Sequence, residues 1–454
     1  MAIDYDVKQF FESDLPAYAA YDNVRKLACY TDGLKMSMRK IIYTFIEKYH
    51  NSKEKIKTET VANVTAAFTN YLHGSANLCG VCNTLTQSFV GANNYPLLTG
   101  NSGGFGTRIN PECAAPRYTK IALSDIVKLL LHKDDYPLFV KQYFEGDYIE
   151  PKYFVPIFPI LFLNGSSGIS TGFSQDIYPR NPLEVIKYIE ACLKNTEADA
   201  NLLPWFRGHL GKVEHNSETD AVESFGIIEK RTMSAYVISE LPIGLDPQKY
   251  CDILDKLIEN GTIVDYDDKC DTKDDSICFE IKTTREFTKK IKSERHLYET
   301  FKLIKNLPET YCCIDENNRV HEFQTVYDIL NSYIDIRLDF YSQRKKYLLQ
   351  ELKDKIILMA SKYVFIKNVC EDKIIINKRT KADIISQIEQ FPKIIKIDNS
   401  YDYLLKMQLS SLTKEMLDKL AEEILKAKDE FNKIKSTDVI DMWLTDLNEL
   451  KKYF

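Results

Sequence analysis

The chain has 454 residues, 44% hydrophobic and 28% charged, with a formal net charge of -6. That length admits about three domains, and the composition excludes a disordered or fibrous chain. The acidic balance excludes a general polycation, and no run approaches the roughly 18 apolar residues of a membrane span. The start, Met1-Ala2-Ile3-Asp4-Tyr5-Asp6, lacks a basic and apolar leader pattern, so a cytoplasmic protein is expected. Eleven cysteines, an odd number, read as reduced thiols rather than a disulfide framework.

Residues 21–50 read as helix, turn, helix: a short run Arg25–Cys29, a break at Thr31-Asp32-Gly33, then apolar residues at helical spacing from Met38 to Ile46. Between Arg25 and Lys57 there are nine Lys and Arg against three acids, a local basic face suited to a phosphate-bearing partner or simply a solvated helix surface. Thr58–Phe68 reads as a helix capped by Thr58, and Asn77–Phe89 as another with small residues on one side. Short helices joined by basic turns suggest a helix-turn-helix or winged-helix module. The run Tyr153–Leu163 is too apolar and proline-interrupted for a helix, and Asn164-Gly165 marks a turn. Strand-like runs at Ala235–Ile238 and Ile277–Ile281 alternate with helices to about residue 310, a mixed α/β region. From Thr325 the chain is helical. Near-heptad spacing predicts a helix of about 45 residues ending by Val369, with Thr413–Lys435 returning antiparallel and a helical knob, Lys381–Phe391, between them. Ser436-Thr437-Asp438 caps a last helix.

One dipeptide carries candidate chemistry. In Ala114-Ala115-Pro116-Arg117-Tyr118-Thr119, a tyrosine stands beside an arginine, just after the glycine-rich segment Gly100–Arg108. A tyrosine hydroxyl ordinarily titrates near ~10, so as a nucleophile it needs help losing its proton and a cation to meet the developing charge. Among 28 tyrosines the pair has no meaning without context. Cys79-Gly80-Val81-Cys82 has no second ligand pair nearby and falls on a predicted helix, so it reads as packing rather than zinc. Val264-Asp265-Tyr266-Asp267-Asp268 offers a D-x-D but no matching glutamate, and reads as a solvated loop. No Walker-type phosphate loop is present.

Taken together, these pieces resemble the DNA breakage–reunion subunit of type IIA DNA topoisomerases over nearly the whole chain. Asp32-Gly33-Leu34-Lys35 with Arg39-Lys40 is similar to the family's D-G-L-K-P…R-[RK] helix-turn, and His73-Gly74 to its H-G motif. Phe89–Asn94, Gly104-Phe105-Gly106-Thr107-Arg108 and Ala115-Pro116-Arg117-Tyr118 resemble the eukaryotic branch. Asn164–Gly172 resembles N-G-x-E-G-I-x-T-G, and Pro204-Trp205-Phe206-Arg207-Gly208 resembles P-W-Y-x-G. A subunit without an ATPase but with eukaryote-like motifs looks most like the medium subunit of T-even-type bacteriophage enzymes. The departures are Met36 where the family has Pro, Leu72 before His73, and Ser167 in place of the usual acid.

The resemblance implies an α+β multidomain fold: an N-terminal arm (1–20), a winged-helix domain with the tyrosine (21–150), an α/β tower (151–324), and a long antiparallel coiled coil ending in a helical gate (325–454). It implies that Tyr118 attacks a DNA phosphodiester, making a 5′-phosphotyrosyl link and a free 3′ hydroxyl, while Arg117 stabilises the transition-state charge. Arg25, Lys35, Arg39, Lys40, His73 and Arg108 would contact DNA, with His73 donating or orienting a proton, or else serving as a turn-stabilising imidazole. Ile169 would wedge between base pairs, where the alternative is a buried strand residue. This chain would hold no metal. Mg²⁺ and ATP would reside on a partner ATPase/TOPRIM subunit, and the chain alone would be inactive. Two nucleophiles are needed to cut a duplex, so a homodimer is expected. The implied reaction is ATP-dependent strand passage through a transient double-strand break, in the cytoplasm of a host bacterium for a phage-encoded protein. A tyrosine recombinase is disfavoured because none of the seven histidines has Arg three residues later. A non-catalytic dimeric DNA clamp is the alternative, and it leaves Arg117-Tyr118 without a role.

Overall fold

The computed structural model describes residues 6–50, 52, 54–397, 399–408 and 412–454; Lys53, one of the nine basic residues noted above, lies outside them. Helix α1 (Leu15–Lys26) carries Pro near its first position, where a missing N–H costs nothing. It follows a helical lead-in over Val7–Gln9 and a wider turn over Phe10–Asp14. The helix ends at Lys26 rather than running over Arg25–Cys29, because the next residues bond elsewhere. Ala28 N–H donates to Gln175 Oε1 at 2.9 Å, and Tyr30 N–H donates to the Ile314 carbonyl at 3.1 Å. The turn that follows places Gly33 at φ 68°, where an added Cβ would collide with the Leu161 backbone.

Helix α2 (Met36–Lys48) buries Ile41, Ile42, Tyr43 and Phe45. Strand β1 (Ile56–Lys57) leads into α3 (Thr58–Phe68), and a turn leads on to α4 (Ser75–Thr86). Thr58 is not the cap of α3. Lys57 holds that position, and Thr58 Oγ1 instead lies 2.7 Å from Thr119 Oγ1. Cys79 and Cys82 are buried on α4, as packing residues. Strands β2 (Leu98–Gly100) and β3 (Lys120–Leu123) complete an antiparallel sheet in the order β1-β3-β2, with Ile121 opposite both Ile56 and Gly100. Helix α5 (Asp125–Leu130) follows.

The apolar run at 153–163 is extended up to Pro159 and then forms a short helix, α6 (Ile160–Asn164), ended by Gly165 at φ 73°. Strands β4 (Ser166–Ile169) and β5 (Ser174–Ile177) make a hairpin, followed by α7 (Pro182–Leu193) with Asn181 as its cap. Next come β6 (Val213–Asn216), β7 (Ala221–Phe225), β8 (Ile227–Thr232), β9 (Ala235–Glu240), α8 (Pro247–Glu259), β10 (Asp265–Asp268), β11 (Phe279–Lys282) and β12 (Ile304–Asn306). They form sheets ordered β8-β9-β11-β10 and β12-β7-β6. Phe279, Ile281, Ile238, Tyr250 and Leu254 fill the core between α8 and the larger sheet. The Asp-rich segment 265–268 is therefore an edge strand, not a loop. Lys282 Nζ lies 3.4 Å from Asp265 and 3.3 Å from Asp267, neutralising a strand that its composition disfavours. A small ladder, β13 (Cys312–Ile314) with β14 (Val320–Glu322), precedes the long helix α9 (Val326–Cys370) of 45 residues.

The chain divides into two compact units. One runs to Arg337 and includes Asp446–Phe454; the other is Leu338–Thr445. The second unit holds most of α9, then α10 (Lys381–Ile388) and α11 (Lys414–Ser436). Thr380 and Asp383 form a reciprocal cap on α10, and Thr413 caps α11. Phe365 and Met359 of α9 share one buried cluster with Ile384 and Ile388 of α10 and with Leu420 and Ala427 of α11. Helix α12 (Val439–Lys451) closes the chain. Its Trp443 is fully buried against Tyr341, with ring centroids 5.7 Å apart. Among the described residues no helix is long and apolar enough to cross a membrane.

Candidate functional site

The loop before β3 presents Tyr118 to solvent: the side chain is 69% exposed although its neighbour Thr119 is fully buried. Arg117 lies over the Tyr118 ring, 5.0 Å from its centroid. The loop is fixed from two sides. On one side its carbonyls take the unpaired amides at the start of α3: Thr58 N–H donates to Thr119 at 3.0 Å and Glu59 N–H to Pro116 at 3.4 Å. On the other side it is tied to the glycine-rich segment. Ala114 N–H donates to the Gly104 carbonyl at 3.0 Å, and Lys120 N–H donates to Asn101 Oδ1 at 2.7 Å. Gln87 at the end of α4 donates through Nε2 to the carbonyls of Phe105 and Pro111, at 3.2 and 3.0 Å. An exposed hydroxyl on an anchored backbone is what a nucleophile for a large substrate requires.

A second cluster gathers at the end of α1. His73 Nε2 lies 2.6 Å from the Tyr21 hydroxyl oxygen, and Arg25 Nη1 lies 3.1 Å from both ring nitrogens. Desolvation, then the charge of Arg25, lowers the His73 pKa. Arg25, Lys26, Lys35, Ser37, Tyr71, Asn77, Gly168 and Ile169 line a cavity of about 270 Å³. Lys35 Nζ donates to the Ser167 carbonyl at 2.6 Å, and burial lowers its pKa. Above this basic floor Ile169 projects from the tip of the β4–β5 hairpin, 80% exposed. It is a strand residue, but not a buried one.

The hairpin is held on three sides. Thr171 donates to Asp22 Oδ2 from N–H at 3.1 Å and from Oγ1 at 2.9 Å. Gln175, fully buried, donates through Nε2 to Cys312 at 2.7 Å. Gly168 lies so close to the Lys26 carbonyl that any Cβ would collide with it. Burial pushes the Asp22 carboxyl up, yet bonds from Lys26 and Thr171 outweigh it and hold the group below its usual range.

Three residues expected to touch DNA lie inside the protein instead. Arg39 is paired with buried Asp32, Nε to Oδ2 at 2.6 Å. Lys40 Nζ bonds the Thr69 carbonyl at 2.6 Å and Glu150 at 2.8 Å. Arg108 pairs with Glu240 at 2.6 Å, both side chains under a tenth exposed. A charge desolvated this far is held by its partner and has no face left for a phosphate. Tyr21 and Asp22 carry no motif in the sequence, and their one-face spacing with Arg25 and Lys26 shows only once α1 is known to begin at Leu15.

Among the described residues no hydrogen bond or ion pair links Arg117 or Tyr118 to the Arg25–His73 cluster. Helix α3 separates them: its start holds the tyrosine loop and its end leads to His73. Eleven residues of helix span about 16 Å, so the two clusters can meet successive stretches of one extended polyanion. Among the described residues no group of three or more His, Cys, Asp or Glu could hold a metal ion. Arg117 and Tyr118 bring no carboxylate to this loop, the ligand that Mg²⁺ favours.

Comparison with known proteins gives this geometry a family. The model for the A subunits of DNA gyrase/topoisomerase IV matches residues 25–448. The mitochondrial DNA topoisomerase 2 of Dictyostelium discoideum is 30% identical over 467 residues, covering 99% of this chain and 36% of that protein. DNA topoisomerase 2 of Invertebrate iridescent virus 6 is 28% identical, covering 99% of this chain and 39% of that one. The crystal structure of the Plasmodium falciparum topoisomerase II DNA-binding, cleavage and re-ligation domain superposes with a TM-score of 0.86 at 28% identity, covering 98% of this chain and 64% of that one. The chain thus spans little more than a third of these curated relatives. It belongs to the family of DNA gyrase/topoisomerase IV A subunits, that of the type IIA DNA topoisomerases.

Proposed function

We propose that this chain is the DNA cleavage and re-ligation subunit of an ATP-dependent type II topoisomerase, with Tyr118 as nucleophile. The observation that carries the reading is an exposed tyrosine with arginine over its ring, on a loop anchored at both ends. Tyr118 Oη attacks a backbone phosphorus of duplex DNA. The bond to the 3′ oxygen breaks, the phenol proton departs, and the leaving oxygen takes up a proton. The 5′ phosphate stays on the tyrosine as a diester, so re-ligation is the same step reversed and needs no energy input. Arg117 faces the charge that builds on the phosphoryl oxygens, where a fixed cation acts most strongly.

Arg25, Lys35 and His73 bind the backbone, and Ile169 inserts between base pairs to bend the segment held. In the same reading the helical N-terminal region acts as a winged-helix module, the sheets at 213–306 as a tower, and α9 with α11 as a coiled coil ending in a gate. Two copies supply the two tyrosines for opposite strands. Mg²⁺ and ATP belong to a partner chain. If the chain is phage-encoded, it works in the cytoplasm of the host bacterium.

Denaturing the DNA complex of the complete enzyme tests the reading. Wild type leaves protein covalently on 5′ ends, whereas Tyr118→Phe binds DNA as tightly and leaves none. Clean release from wild type would make the chain a clamp rather than a nuclease–ligase.

A further inference from the structure

Arg108 was expected at the DNA surface and is buried, so its placement calls for another role. Its Nη1 lies 2.6 Å from Glu240 Oε1, its Nη2 donates to the Leu241 carbonyl at 3.1 Å, and its backbone N–H donates to Asp275 Oδ1 at 2.8 Å. Glu240 is itself held by amides, from Leu241 at 2.8 Å and Leu210 at 3.1 Å. Ile109, the next residue, packs against the core of the β8-β9-β11-β10 sheet. Arg108 thus rivets the end of the glycine-rich segment to the second sheet region.

The same segment holds the tyrosine loop, and near its other end Asn101 Oδ1 accepts from the Lys120 N–H at 2.7 Å. Gly104 accepts from Ala114, Phe105 accepts from Gln87, and Thr107 N–H donates to Asn110 at 2.8 Å. Only nine residues separate Arg108 from Tyr118, and the chain between them is bonded back onto the segment. We propose that Arg108, ion-paired with Glu240, is a positioning residue for the Tyr118 loop. Resting on the reading of Tyr118 as nucleophile, this role acts through backbone and not through contact with DNA. It also couples the cleaving loop to the strand β9, so a shift of that sheet region changes the attack geometry. A displacement near ~1 Å at a reacting group is enough to cost on the order of 100-fold in rate. The guanidinium fork bonds a carboxylate and a carbonyl at once, which a lysine cannot reproduce.

The test uses the enzyme purified with its partner chains, supercoiled plasmid and Mg²⁺. It follows covalent adduct formation in single turnover for wild type, Arg108→Lys and Glu240→Gln. Both variants are expected to slow the first-order rate constant at least about tenfold, with the salt dependence of DNA affinity unchanged. Partial unfolding lowers the amplitude at an unchanged rate constant, and that result in both variants overturns the positioning role. Arg108→Gln is measured alongside for binding alone. A log–log salt slope shallower by about 0.9 would mean that Arg108 meets a phosphate, which overturns it equally. Absence of a wild-type adduct on Tyr118 instead overturns the nucleophile reading, so the two failures are told apart.

Discussion

His73 illustrates how a single residue reports on the proposed DNA surface. Free of DNA, its pKa is lowered by desolvation and by Arg25. A phosphate arriving beside it supplies the opposite charge and raises the pKa in the complex, so binding takes up a proton. Affinity should therefore strengthen as pH falls between about 8 and 5, and His73→Ala should flatten that dependence. Fluorescence anisotropy against pH measures it, and an unchanged slope in the variant would mean the imidazole only braces its turn. Among these side chains charge was legible and its partner was not. Arg39, Lys40 and Arg108 look alike in a sequence with Arg25 and Lys35. What separates them is burial together with the partner: Arg25 also faces a carboxylate, Asp22 at 3.6 Å, but stays part-exposed, whereas Lys40 is buried against Glu150, 110 residues away. Tyr118 was legible through its motif, and its exposure through structure alone.

The β4–β5 hairpin separates a side chain that acts on a ligand from one that holds the fold. Ile169, 80% exposed, contributes little to folding, so Ile169→Ala should leave stability within about 0.5 kcal/mol while reducing the bend in bound DNA, read by energy transfer between the duplex ends. A lost melting temperature would mark it as a packing residue. Gly168→Ala should do the reverse. Its Cβ collides with the Lys26 carbonyl, at a cost of about 1–3 kcal/mol that a thermal melt detects. Periodicity located α2, α3, α9 and α11 within a few residues, because each buries an apolar face. It failed where tertiary bonds overrode local preference. Residues 27–30 pair with the hairpin and the Ile314 strand instead of extending α1, and Asp265–Asp268 became a strand beside Lys282.

For the whole molecule, helices followed by an α/β stretch and a long helical end are readable from pattern, whereas the contacts that weld the first unit are not. Glu240 is one such weld. Burial pushes its carboxyl up, but the nearby His209 ring, with Nδ1 3.5 Å from Oε2, the charge of Arg108 and the Leu210 amide outweigh it, bringing the pKa to about 2. A depressed carboxyl stabilises the fold above the ordinary glutamate range, and that stabilisation disappears as pH falls from there toward about 2. Acid unfolding followed by circular dichroism should show stability falling less steeply with acid in Glu240→Gln than in wild type, the slope that remains belonging to other depressed carboxyls such as Asp22 and Glu223. A variant with the wild-type acid slope would place the sensitive group elsewhere. The two-tyrosine requirement predicts a dimer, measured by light scattering of the purified chain and its complex; a monomer within an active complex would contradict it.

The central claim is that Tyr118 is the residue joined to DNA. The direct measurement is to trap the enzyme on radiolabelled plasmid, denature and digest it, and sequence the peptide that carries the 5′ nucleotide. A single modified peptide containing Arg117-Tyr118 is expected, with the label on the tyrosine. A label on any other residue, or on no residue of this chain, would contradict it.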